Sequence, residues 1–128
     1  MEKIHLPATS NTPEVDFDFQ ARRLMLRGES YPESAAAFYG DILESTREFL
    51  AGLVEQDVIV EVQLTYFNSS STKMLFGLFE MLNQAAQAGN RVHLHWYYDS
   101  EDETILEFGL ELREDFPDIE FLPRELEV

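Results

Sequence analysis

Segments of helical and of strand periodicity take turns along this 128-residue chain, and that alternation restricts its architecture more than any other feature. The run DVIVEVQLTYF at 57–67 is rich in β-branched and aromatic residues with few interior charges. That composition predicts a central strand covered on both faces. STKMLFGLFEMLNQAAQAGN follows, with Met74, Leu75, Leu78, Leu82 and Ala85 on one side of a helix that Gly89 and Asn90 are suited to end. RVHLHWYY at 91–98 reads as the next strand. DSEDETILEFGLELREDFPD then sets Ile105, Phe108, Leu112 and Phe116 on one helical face, with Pro117 as its stop. Gly109 interrupts that face, and Ser100 with Glu103 has capping-box spacing. IEFLP closes the pattern as a short strand.

Upstream, EVDFDF at 14–19 alternates Val15, Phe17 and Phe19 with Glu14, Asp16 and Asp18, the period of a half-buried strand. RRLMLRG ends in Gly28, so the two segments read as a hairpin. IHLP reads as a short edge piece, because Pro7 and Pro13 disfavour a central position. A helix is predicted over 32–53, with Ser30 and Glu33 as a capping box and Pro32 in the first turn. Its apolar stripe is Ala35, Phe38, Tyr39, Ile42, Thr46, Phe49, Leu50 and Leu53. Strands, helix, strand, helix, strand, helix, strand, joined by short connections, build an α/β domain. The expected sheet is mixed and mostly parallel, with about three helices that share one face or split between two. No linker or internal repeat divides residues 1–128, so one domain is expected. A domain of this size buries roughly two-thirds of its unfolded surface.

Charge excludes some functions. Twenty-five acids against nine Lys and Arg give a net charge of −16, and twelve of those acids lie within 99–128. Such a surface repels phosphate backbones and anionic lipids, which argues against nucleic-acid and membrane partners. It serves solubility, or steers the protein toward a basic partner. With no cysteine there is neither a disulfide framework nor a thiolate metal site. No run of eighteen apolar residues is present, and the expected location is the cytoplasm.

The turn between the central strand and the second helix carries Asn68, Ser69, Ser70, Ser71 and Thr72. Loops that lead from strand to helix are where α/β proteins place their chemistry. One hydroxyl suffices to cap the helix, so the others are surplus. Lys73 stands in the first turn and no acid precedes Glu80, which leaves the helix end suited to an anion. Phosphorylation there would add a charge of about −1.5 to −2. The helix dipole would offset it by ~0.3–1 kcal/mol. The plainer reading is a polar capped turn without a regulatory role.

No nucleophile elbow, glycine-rich loop or Walker-type lysine accompanies these serines. His93 and His95 alternate within a strand and point the same way. They would serve as two metal ligands, with no convincing third, or as ordinary core or surface histidines. Trp96, Tyr97 and Tyr98 end that strand, and Tyr31 in GESYPE belongs with them if its helix starts on the same edge. These rings pack in the core, or form a binding face beside the serine turn.

LPATSNTPEVDFD, GESYPE, YFNSSSTK and WYYD occur in that order, and with them the chain resembles the SiaC-like bacterial regulatory phosphoproteins over nearly its whole length. These are relatives of the STAS-domain anti-sigma factor antagonists. The resemblance implies a STAS-like fold and a non-enzymatic, cofactor-free switch. Unphosphorylated, such a protein binds and activates a diguanylate cyclase, with output through cyclic-di-GMP to biofilm formation. A cognate kinase with a histidine-kinase-like ATPase fold modifies it, and a PP2C-type phosphatase reverses the step. The modified hydroxyl of the family follows the turn Asn and falls on Ser69, with Ser70 second and Ser71 as the helix cap. Ser71, Thr72 and Lys73 then form the anion site, and Asn68, Tyr31, Trp96, Tyr97 and Tyr98 the partner face. The alternatives are an unmodified scaffold protein and a small metal-assisted enzyme built on His93 and His95.

Overall fold

The computed structural model describes residues 2–126. Its six strands are β1 (Ile4–Leu6), β2 (Glu14–Asp18), β3 (Arg23–Ser30), β4 (Asp57–Phe67), β5 (Arg91–Asp99) and β6 (Glu120–Leu126). They form one sheet in sequence order. The pairings β1–β2 and β2–β3 are antiparallel, and the three that follow are parallel. The helices α1 (Ala35–Ala51), α2 (Ser69–Gln87) and α3 (Glu103–Asp115) are the crossovers of the parallel half. This is the mixed, mostly parallel α/β sheet with three helices that the alternation predicts.

Each parallel strand is added on the same side of the last, so right-handed crossovers send every helix to one face. The core confirms it. Leu24, Val60 and Leu94 form one buried row across the sheet, and Leu26, Val62 and Trp96 form the next. Phe49 of α1 packs on Phe19, while Phe79 of α2 and Phe108 of α3 both pack on Trp96.

The central strand is therefore covered on one face, where its composition predicts two. Val58, Val60, Val62 and Leu64 are buried, and Ile59, Glu61 and Gln63 are only half-buried. The second face carries charge pairs between neighbouring strands, including Arg27–Glu14 at 2.8 Å, Arg91–Asp57 at 2.8 Å, and Arg23–Glu61. Met25, Ile59 and Leu122 are half-buried. The edges are blunted as soluble sheets require: β1 has three residues, and β6 contains Pro123.

Two helix starts differ from the sequence expectation. Ser34 caps α1, accepting from the Ala37 N–H at 3.2 Å, whereas Ser30 is the last residue of β3 and fully buried. Asp102 caps α3, accepting from the Ile105 N–H at 3.1 Å, in place of Ser100. A carboxylate there satisfies the first turn and the helix dipole together.

Gly109 has a packing reason. A Cβ at that position would lie 2.5 Å from both Cδ1 and Nε1 of Trp96 and 2.9 Å from Cζ of Phe121. The missing side chain lets the indole press against the α3 backbone, where its N–H donates to the Ile105 carbonyl at 2.9 Å. Gly109→Ala should therefore cost about 1–3 kcal/mol through overpacking. Gly40→Ala, with open space at its Cβ, should stabilise by roughly 0.5–1 kcal/mol. Denaturant unfolding followed through Trp96, the single tryptophan, measures both, and equal midpoints would contradict this packing.

Candidate functional site

β4 ends at Phe67 and α2 begins at Ser69, so Asn68 alone makes the turn. Its extended backbone aims the side-chain oxygen at the helix, where it accepts from the Ser71 N–H at 2.9 Å. Its carbonyl accepts from the Thr72 N–H at 2.9 Å and the Thr72 hydroxyl at 3.1 Å. The cap is thus Asn68, and the expectation that Ser71 plays this part is wrong. Ser71 turns inward and is fully buried, its Oγ accepting from the Ser30 hydroxyl at 2.8 Å. Ser30 has one proton to give, so at 2.6 Å it is Tyr39 of α1 that donates to Ser30. Burial pushes the Tyr39 phenol above its ordinary range, and the group stays protonated as this chain of donors requires. The Asn68 N–H donates to the Ser30 carbonyl at 3.0 Å, tying the turn to β3 as well.

With Asn68, Ser71 and Thr72 engaged, Ser69 and Ser70 remain, and both are exposed. They are the first two residues of α2, whose leading N–H groups have no intrahelical acceptor. The first turn contains no acid. Ser70 and the exposed Lys73 line an open groove of about 310 Å³ with Ser34 and Ala35, so the starts of α1 and α2 face the same space. Two positive dipole ends and an ammonium favour negative charge here, opposed by one carboxylate, Glu33, in the same lining.

The aromatic residues divide. Tyr31 is 39% exposed just beyond β3, and its ring meets that of Tyr66, 51% exposed, edge to face at 5.7 Å. Tyr66 stands on the strand end that leads into the turn, and Tyr31 at the neighbouring end of β3. Sequence reasoning misses Tyr66, because strand alternation from Val58 to Leu64 assigns position 66 to the core. The register shifts at this point: Gly28 pairs with Leu64 and Glu29 with Tyr66, leaving Thr65 as an extra residue. That bulge reverses the alternation, so Tyr66 faces out and Phe67 packs on Phe108. Gly28, at φ +122°, was the local signal for it. Trp96, by contrast, is 1% exposed and locked to α3, so it belongs to the core and not to a partner face. Tyr97 and Tyr98 are half-buried beside an open cleft between β4, β5 and α3.

His93 and His95 do share the open face of the sheet, with different surroundings. His93 places Nε2 3.0 Å from Asp57 and Nδ1 3.2 Å from Glu120. The Asp57 bond raises its pKa most, against partial burial, and Glu120 adds to it. Asp57 is held well below the usual carboxylate range by Arg91 first and then by His93. His95 is lowered by partial burial and by Arg124, whose Nε donates to its Nδ1 at 3.1 Å. With a carboxylate within hydrogen-bond reach of each ring nitrogen, His93 has no free nitrogen to offer a metal. Among the described residues no group of three or more His, Cys, Asp or Glu is arranged to hold a metal ion. No helix there is long and apolar enough to cross a membrane.

One layer of helices on a mixed sheet, with a capped polar turn at the start of α2, is the architecture of a STAS-like domain. The model of the SiaC family of regulatory phosphoproteins matches residues 6–126. An uncharacterized protein of Pseudomonas aeruginosa (strain UCBPP-PA14) is 36% identical over 115 residues, 90% of each chain. The crystal structure of apo-SiaC from Pseudomonas aeruginosa superposes with a TM-score of 0.84 at 32% identity, covering 99% of this chain and 100% of that one. A second comparison is with the crystal structure of the diguanylate cyclase SiaD in complex with its activator SiaC from the same organism. There the TM-score is 0.89 at 33% identity, covering 96% of this chain and 99% of the other. The chain belongs to the SiaC family.

Two outcomes follow from these contacts. Ser30→Ala strands the Tyr39 and Ser71 hydroxyls in the core and should cost about 1–3 kcal/mol. Ser69→Ala, on the surface, should stay within about 0.5 kcal/mol of the parent in the same denaturant titration. For His93, the raised folded-state pKa means a stabilisation fully present below its unfolded value near 6.5 and lost as pH rises through the folded value. His93→Gln should therefore cost more stability at about pH 5.5 than at about pH 9, and in NMR titration His93 should release its proton at higher pH than His95.

Proposed function

We propose that this protein is a phosphorylation-switched activator of a diguanylate cyclase, binding the enzyme when unmodified and releasing it when Ser69 is phosphorylated. One observation carries the reading: of the hydroxyls at the strand–helix turn, Ser69 and Ser70 stand exposed at the open end of α2 while the others serve the fold. Family membership supports the regulatory role. The similarity to the SiaC chain solved with SiaD supports a cyclase as the partner. Asn68, Tyr31, Tyr66 and the start of α2 form the docking surface, and Ser70 is the second choice for the phosphate. Lys73 and the two helix starts steady the added charge, so the fold persists in both states. The phosphate acts by placing a hydrated dianion where an apolar contact with the cyclase must desolvate. A kinase with a histidine-kinase-like ATPase fold writes the mark and a PP2C-type phosphatase removes it. The output is cyclic-di-GMP and, through it, biofilm formation.

The test is direct. The protein is incubated with its cognate kinase and ATP, the modified residue is mapped by mass spectrometry, and cyclase binding and activation are measured before and after. We expect one phosphate at Ser69 and a loss of affinity of at least about tenfold, the scale of a charge brought to a desolvated contact. A phosphoprotein that binds and activates the cyclase as well as the unmodified form refutes the switch. A phosphate outside Ser69 and Ser70 refutes the site.

A further inference from the structure

The sheet forks at the edge where its parallel strands end. β4 and β5 are paired from Asp57↔Arg91 to Val62↔Trp96 and no further. Beyond that point β4 stays with β3 as far as Phe67, helped by the bulge at Thr65, while β5 stays with β6 as far as Asp99. Two strand edges then face each other across a gap, residues 63–67 on one side and 97–99 on the other. Among the described residues, no strand pairing joins these facing edges beyond Val62↔Trp96, and on the β5 side the Asp99 carbonyl accepts from the Asp102 N–H at 2.9 Å. The gap is an open cleft of about 530 Å³, with Tyr97 and Tyr98 on one wall, Thr65 on the other and the first turn of α3 across it.

Unpaired backbone along a strand is a template for another extended chain. A helical partner has no free backbone groups to offer it, since its own are spent internally. The rim selects the chemistry. Asp99, Glu101, Asp102 and Glu103 line the cleft, and no Lys or Arg does. We propose that this fork receives an extended, basic segment of a protein partner. The segment adds a short strand along β4, and its Arg or Lys side chains lie against the Tyr97 ring and the carboxylates at the start of α3. At about 3.3 Å per residue, the free edge of β4 accommodates roughly five residues. The fork adjoins the proposed cyclase surface at Tyr66, which stands on its β4 edge.

Two blocked pentapeptides, Ac-Val-Arg-Val-Arg-Val-NH2 and Ac-Val-Glu-Val-Glu-Val-NH2, test this by NMR titration of the 15N-labelled full chain. The basic peptide should shift the amides of residues 63–67 and 97–99 and slow their hydrogen exchange, and the acidic peptide should leave them unmoved. The double variant Glu101→Gln/Glu103→Gln, its fold checked by Trp96 fluorescence, should bind the basic peptide about fivefold more weakly, as loss of two exposed charge pairs implies. Equal response to both peptides, no response in the fork, or undiminished binding by the double variant overturns the proposal. Because neither peptide involves the cyclase or phosphate, these results stand apart from the fate of the Ser69 switch.

Discussion

The geometry of the turn between β4 and α2 depends on a buried chain of three hydroxyls, Tyr39 to Ser30 to Ser71. It joins α1, the end of β3 and the third residue of α2 at a point with no access to water. In so apolar a setting a hydrogen bond is strong and its loss expensive, so the three elements cannot slide past one another without stranding a polar group. Asn68 closes the arrangement from outside, bonded to Ser30 through its backbone and to Ser71 through its side chain. The start of α2 is therefore a fixed platform. Ser69 and Ser70 ride on it, one and two residues from a side chain that cannot move.

Rigidity there limits what any surface charge at Ser69 can do. The dipole of a helix end contributes ~0.3–1 kcal/mol, less than the cost of breaking the buried chain. A modification on this platform changes the surface and leaves the backbone beneath it in place. The far face of the sheet has a different economy: its ion pairs are exposed, and each adds little to stability. The molecule is thus held by its helix-covered side, where its buried apolar residues lie with the Trp96–Gly109 contact and the hydroxyl chain among them.

Much of this was legible in the sequence. The alternation of periods gave the element order, and the missing first-turn acid of α2 drew attention to a turn whose Ser69 and Ser70 stand exposed. The failures share a cause: local spacing does not say where a hydroxyl or a ring points once the chain has folded. Ser30 and Glu33 have the spacing of a capping box, yet Ser30 is drawn into the core by Tyr39 and Ser71, and Ser34 caps instead. Ser71 reads as the helix cap, although its place in the third position of α2 turns it inward. Trp96 read as a possible anchor because it ends a strand near the turn, and only the missing Cβ of Gly109 lets α3 cover it. Tyr66 was hidden by a bulge, which no period-2 rule anticipates.

The balance of charge constrains how a phosphate on this platform can act. The chain already carries a net charge of −16, and one more dianion changes its long-range potential only modestly. Beyond the Debye length of about 8 Å, salt screens even that. Repulsion at a distance is thus a poor basis for a switch here, and a basic partner would be drawn slightly closer by the added charge. An effect large enough to release a partner has to arise in contact, where the Tyr31–Tyr66 pair and the first turn of α2 would otherwise be dried by the docked surface. Two ionised oxygens held there keep their water, and the cost of removing it falls on the complex and not on the free protein. The acid-lined fork, governed by attraction and by strand pairing, answers to a different partner chemistry on the same edge of the sheet.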